Sequence, residues 1–153
     1  MKIYTIERHL LLPIDKETCW NFFSNPANLQ KITPPDMDFE ILSGADSKMF
    51  AGQIIEYRIK LFPGIKAGWV TEITHAAEGE YFVDEQRFGP YKFWHHKHFF
   101  KETANGMEIR DVVHYSLPFG LLGNLAHLIF VRRKLENIFN FRTHFLKNYF
   151  NLQ

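Results

Sequence analysis

From Asp38 to Leu117 apolar and polar side chains alternate, with turn signals at Ser43-Gly44, Pro63-Gly64, Glu78-Gly79, Gly89-Pro90 and Asn105-Gly106. From Leu121 to Phe150 there is no proline, and apolar residues recur at three-to-four spacing. The first pattern has the period of strands; the second has the period of a helix, about 45 Å long if it is unbroken. In QIIEYRIKL, Ile55, Tyr57, Ile59 and Leu61 share one face while Glu56, Arg58 and Lys60 share the other. On the next strand Trp69, Thr71 and Ile73 fall together. The helix stripe Leu125, Leu128, Ile129, Leu135, Ile138, Phe139, Leu146 and Tyr149 also needs cover. The two apolar surfaces are buried together if the helix lies across the sheet. This is an α+β arrangement: a curved antiparallel sheet of about seven strands around one long C-terminal helix, with space left between them.

The opening segment fits that frame. KIYTIERHLLL is rich in branched and aromatic residues and stops at Pro13, as an opening strand does. Asp15 is placed to cap a short helix running to about Phe23. Asn25-Pro26 then starts a second short helix that Pro34-Pro35 ends. No repeat, linker or low-complexity run divides the chain, so residues 1–153 read as a single domain.

Charge and cysteine content remove several function classes. Lys and Arg number 18 against 17 Asp and Glu, so the formal charge of +1 gives no drive toward nucleic acid. The single cysteine, Cys19, rules out an intrachain disulfide and reads as a small buried residue. MKIYTIERHL lacks an apolar signal core, and LLGNLAHLIFV is interrupted and too short to span a bilayer. The expectation is a cytoplasmic protein with no transmembrane segment; homo-oligomerisation is left open.

KFWHHKHFFKE, residues 92–102, concentrates three histidines, a tryptophan and three phenylalanines. Asn105-Gly106 is a strong hairpin signal, because both residues tolerate positive φ. A type I′ turn there sets Phe100 against Asp111, His98 against Val113, His96 against Tyr115 and Trp94 against Leu117. One face then carries Trp94, His96, His98 and Phe100 with Ile109, Asp111, Val113, Tyr115 and Leu117; Phe93, His95, Lys97, Phe99 and Lys101 point the other way. The first face is the more apolar and is expected to look inward. A buried Asp111 needs a partner, and Arg142 and Arg132, both on the helix stripe, are candidates.

At this point the residues resemble a known family. NLQKITPP (28–35), YFVDEQRFGPYKFWHHKHFF (81–100), VVHYSLPFG (112–120) and FVRRKLENIFNFR (130–142) are similar to the SRPBCC ligand-binding family. That family belongs to the helix-grip superfamily of START lipid-transfer domains, the birch-pollen allergen and polyketide cyclase/dehydrase-like proteins, here in a branch labelled cell division inhibitor-like. The resemblance covers nearly the whole chain. It implies a cavity between sheet and C-terminal helix, and it maps an inward Trp-x-His-x-His-x-Phe strand onto Trp94, His96, His98 and Phe100, with its following acidic residue on Asp111.

The function expected is binding of a small hydrophobic molecule, lipid-like or aromatic, by Tyr57, Ile59, Trp69, Trp94, His96, His98, Phe100, Asp111, Tyr115 and Arg142. No nucleophile motif, phosphate loop or cofactor fingerprint occurs, so no cofactor and no catalytic residue is assigned. The alternative is a cyclase or dehydratase in which His96 or His98 works with Asp111 as general acid and base. Two histidines with a carboxylate such as Asp111 on the next strand can form a three-ligand site, but a metal site is not expected, because nothing in the register places a third ligand in close convergence with His96 and His98. VRRKLENIFNFRTHFLKNYF, with its cations and aromatics, also reads as a membrane or protein contact helix.

Overall fold

The computed structural model describes residues 2–151. Seven strands form one antiparallel sheet: β1 (Tyr4–Leu12), β2 (Glu40–Ser43), β3 (Ile54–Phe62), β4 (Ile65–Ala77), β5 (Tyr81–Phe88), β6 (Phe93–Thr103) and β7 (Gly106–Ser116). Their spatial order is β1-β7-β6-β5-β4-β3-β2, so the chain's first strand closes against its last. Between β1 and β2 lie helix α1 (Lys16–Phe23) and two single 3-10 turns, Pro26–Leu29 and Pro35–Met37. Asp15 caps α1 through a 2.7 Å bond from the Thr18 amide. The second short helix expected from Asn25 to Pro34 is thus only a turn at Pro26–Leu29, with a second turn where that helix was expected to end.

The helix is one continuous run of three pieces: α2 (Gly120–Ala126), a π-turn (His127–Val131) and α3 (Arg132–Asn151). Leu135, Phe139 and Leu146 of the expected stripe are buried against the sheet. Leu125, Leu128 and Ile129 are not; they are 54%, 74% and 65% exposed. The wider π-turn carries one extra residue and moves the buried face back by one position, so His127 is buried where Leu128 was expected. The apolar residues of the first two turns consequently face outward.

The main core lies between α1, the closed end of the sheet and the last turn of α3. Trp20, Phe23 and Phe100 pack there edge-on or tilted, at centroid separations of 5.3 to 5.7 Å. Cys19 is buried in this core, and burial pushes its thiol up to about 12, which keeps it unreactive.

The β6–β7 hairpin is two residues out of the expected register. Thr103 pairs with Gly106, which leaves Ala104 and Asn105 as the turn, and His98 consequently faces Asp111, His96 faces Val113 and Trp94 faces Tyr115. Asn105 does not adopt positive φ, so the type I′ turn does not form; Gly106 alone does, at φ 121. Its lack of a side chain is required by the neighbouring strand, since a Cβ at Gly106 would lie 2.1 Å from the Leu12 carbonyl oxygen. A shift of two preserves the side-chain period, so each residue stays on its expected face.

Candidate functional site

A cavity of about 160 Å³ lies between the concave sheet and α3. Its walls are mostly apolar: Ile55, Ile59 and Leu61 from β3, Trp69 and Ile73 from β4, and Leu135, Ile138 and Phe139 from α3. Aromatic contacts stiffen one side. Trp69 stacks with Tyr57 at 5.7 Å and meets Trp94 edge-on at 5.2 Å. The Tyr57 and Trp69 polar atoms both bond to Thr71 Oγ1, at 3.1 and 3.0 Å, so this wall's polar groups are satisfied within the protein.

Opposite lies a four-residue polar cluster generated by strand pairing. Asp84 on β5 faces His96 on β6, and His98 two residues along β6 faces Asp111 on β7. Each carboxylate therefore meets one imidazole directly and the other diagonally. His98 Nε2 is 2.7 Å from Asp84 Oδ2 and His96 Nε2 is 3.0 Å from Asp111 Oδ1. The second contacts are His96 Nδ1 to Asp84 Oδ2 at 3.5 Å and His98 Nδ1 to Asp111 Oδ1 at 2.8 Å, the latter without hydrogen-bond alignment. From the helix, Arg142 Nη1 comes within 3.6 Å of Asp111. Arg132 is not the partner; it pairs with Glu136 on the surface.

This network sets the charge states. Burial would raise both carboxyls, but the facing histidines outweigh it, leaving Asp84 below and Asp111, with Arg142 added, well below the usual carboxylate range. Burial and the neighbouring His98 charge push His96 down. Burial also opposes charge on His98, yet its contacts with Asp111 and Asp84 prevail and push it up. These directions keep both carboxylates charged opposite Arg142 and order the two imidazoles, His98 taking up a proton more readily than His96. Such a pair holds an acid and a base in contact, the arrangement that proton transfer to a bound molecule needs.

Of the ten residues singled out in the sequence, Tyr57, Ile59, Trp69, Trp94, His96, His98 and Arg142 line the cavity. Phe100 belongs to the main core instead. Asp111 sits behind the two histidines, and Tyr115 lies in a separate cluster with Ile6 and Val113, its hydroxyl 2.9 Å from His127 Nε2. Asp84 was missed, and with it the third group said not to converge on the histidines. It is within reach of both. YFVDEQRF alternates ambiguously, because Val83 on the opposite face is also buried; bulges on both sides of the β4–β5 pairing hide the register. Gln86 was missed too: it bonds the Tyr91 carbonyl at 2.7 Å and accepts from its amide at 3.1 Å, fixing Tyr91 in the cavity wall.

Neither a family model nor a curated protein matches the chain. Solved structures do. Protein CV1439 from Chromobacterium violaceum aligns over 96% of this chain and 97% of its own, at 14% identity and TM-score 0.72. Ara h 8.0201 aligns over 95% and 98%, at 14% identity and TM-score 0.62. The chain has the helix-grip fold. Major latex-like protein 151 from Panax ginseng shares it over 97% of each chain, at 10% identity and TM-score 0.69. This is the birch-pollen-allergen-like architecture that the sequence resemblance implied, and no described helix is long and apolar enough to cross a membrane.

Proposed function

We propose that this helix-grip domain binds a small, largely apolar molecule in the cavity between sheet and helix, with the Asp84–His96–His98–Asp111 cluster and Arg142 orienting its polar end. The observation that carries the reading is the pairing of an aromatic-lined cavity of about 160 Å³ with the buried Asp84, His96, His98 and Arg142 side chains in its lining. Its size is close to that of the roughly 150 Å³ apolar cavity known to accept benzene, so a one- or two-ring aromatic is favoured over a long lipid chain. Arg142 Nε and Nη1 are buried without hydrogen-bond partners, which favours a ligand carrying an oxygen acceptor. Leu61, Tyr91 and Lys134 line both the cavity and the adjoining outer groove, and mark the entrance. Native mass spectrometry of freshly purified, tag-free protein, followed by solvent extraction, tests the reading. A co-purifying aromatic acid, phenol or ketone supports it; an empty chain that also fails to bind a panel of such compounds overturns it.

One feature favours an additional reading, docking on an anionic membrane surface. Beside the entrance, Phe119, Leu121, Leu122, Leu125, Leu128 and Ile129 are all exposed, followed in sequence by Arg132, Arg133 and Lys134. Apolar side chains next to cations match the two components of an anionic interface. The contact helix read from VRRKLENIFNFRTHFLKNYF is displaced to this earlier segment, because Phe150 is buried and Phe145 packs on the core.

A further inference from the structure

A tie between helix and sheet requires only Asp111 and Arg142. Burying Asp84, His96 and His98 beside them adds desolvation cost that such a tie does not explain. These three side chains all line the cavity, and one potential ligand atom from each lies within 4.8 Å of the others. Asp84 Oδ2 is 2.7 Å from His98 Nε2 and 3.5 Å from His96 Nδ1. Ligands about 2.0–2.2 Å from a tetrahedral metal ion stand roughly 3.3 Å apart, so small side-chain adjustments bring the set to that spacing. Of the remaining ring nitrogens, His96 Nε2 makes a 3.0 Å hydrogen bond with Asp111 Oδ1, and His98 Nδ1 lies 2.8 Å from the same oxygen without hydrogen-bond alignment. A carboxylate behind metal-binding imidazoles fixes their tautomers and orientation, and Arg142 in turn holds Asp111.

We propose that Asp84, His96 and His98 form a two-histidine, one-carboxylate site for a divalent transition-metal ion such as zinc, with Asp111 as positioning residue and the open coordination positions facing the cavity. The ligand atoms are Asp84 Oδ2, His96 Nδ1 and His98 Nε2. Sites of this composition leave room for water or for an oxygen donor of a bound molecule. A carboxylate, phenolate or carbonyl on a small aromatic molecule is the matching donor, and it would also meet the Arg142 Nε–H, which has no hydrogen-bond partner in the protein. The metal part of this inference does not depend on the organic-ligand reading, because metal is titrated alone.

The test uses tag-free full-length chain stripped with a chelator. Zinc is titrated in competition with a chromogenic chelator, and cobalt(II) is added separately to record visible d–d absorption. The expected result is one zinc per chain at a Kd of about 1 μM or tighter. Asp84→Asn and His96→Gln should each weaken it about 100-fold or more, and Asp111→Asn about 10- to 100-fold. His9→Ala, which opens the surface cluster of His9, Glu7 and Glu108, should change nothing. If a cluster variant fails to fold, the wild-type cobalt spectrum decides: absorption typical of a four- or five-coordinate ion supports the site, and an octahedral aquo-type spectrum rejects it. Absence of a bound equivalent at about 100 μM zinc, or its loss only in His9→Ala, overturns the proposal.

Discussion

His98 lies against His96 with ring centroids 3.7 Å apart, and each imidazole reaches both Asp84 and Asp111. Two imidazolium rings in such contact would repel, so a proton on one ring disfavours a proton on the other, while both carboxylates are held below their ordinary range. The geometry follows from spacing alone: histidines two apart on one strand, with a carboxylate across from each.

Asp111 is the anchor of this arrangement, since it faces His96, His98 and Arg142 from a 9% exposed side chain. Asp111→Asn keeps the shape but leaves the buried Arg142 without its counter-charge. The expected destabilisation is about 3–5 kcal/mol, read from urea unfolding midpoints. Asp84→Asn should cost less, because Asp84 lies on the cavity wall and meets the two histidines and, at 3.4 Å, the Trp94 indole, with no described cation such as Arg142 paired to it. Equal stability of wild type and Asp111→Asn would show that Arg142 finds another counter-charge.

The two cavity tryptophans should separate stability from binding. Trp69 is 6% exposed and packs on Tyr57, Tyr91 and Trp94, so Trp69→Ala should lose about 3–5 kcal/mol. Trp94 is only half-buried, and its replacement by alanine should cost about 1–3 kcal/mol. Both should weaken uptake of an aromatic ligand, followed by displacement of a fluorescent probe. On the opposite sheet face, Lys97→Ala should stay within about 0.5 kcal/mol of wild type. A Lys97 variant that impairs uptake as much as Trp94→Ala would mean that the ligand binds elsewhere.

Much of this was legible before any coordinates. Period-two patterning put Ile55, Tyr57, Ile59, Trp69, His96 and His98 on the inner face, because strand parity survives an error of two in register. The register itself was not legible, since the β1 backbone, remote in sequence, is what demands glycine at 106. Asp84 was hidden because its neighbours Phe82 and Val83 are both buried, so alternation along β5 does not say which face Asp84 takes, and bulges in the β4–β5 ladder hide its register from that side. The helix stripe failed from Leu125 to Ile129 because a π-turn changes the period from within, and no proline or glycine pair marks the place. Local periodicity therefore carried the faces, while tertiary contacts set the register.

His127, exposed by that change of period as a buried residue, gives a pH test outside the cavity. Its ring stacks on Tyr4 at 3.5 Å, Nε2 meets the Tyr115 hydroxyl, and Nδ1 is buried without a hydrogen-bond partner. Burial, with the nearby Arg132 and Lys2 charges, pushes its pKa below the ordinary 6.5. The unfolded chain thus binds more protons than the folded one between those two values. The contribution of His127 is fully present above about pH 6.5 and declines as pH falls through the lower folded value. Wild-type Tm should drop between pH 7.5 and pH 5 by more than that of His127→Gln, whose side chain does not titrate. Parallel Tm curves for the two proteins would refute this assignment.

The exposed segment beside the cavity entrance supplies the last prediction. Leu121 and Leu128 are 86% and 74% exposed, so Leu121→Asp with Leu128→Asp should leave Tm within a degree or two of wild type. If this face docks on an anionic bilayer, the wild type should co-sediment with phosphatidylserine-containing vesicles and not with neutral ones, and the double variant should lose that binding. Arg133→Glu should weaken it further through charge, on the scale of about 1 kcal/mol for each cation at the surface, and added salt should weaken it likewise. A different pattern would identify a second copy of the chain as the occupant: no vesicle binding by the wild type, together with a concentration-dependent dimer that the Leu121 and Leu128 changes dissolve. In that case the apolar cap would close the cavity entrance by self-association, and ligand exchange should slow as protein concentration rises.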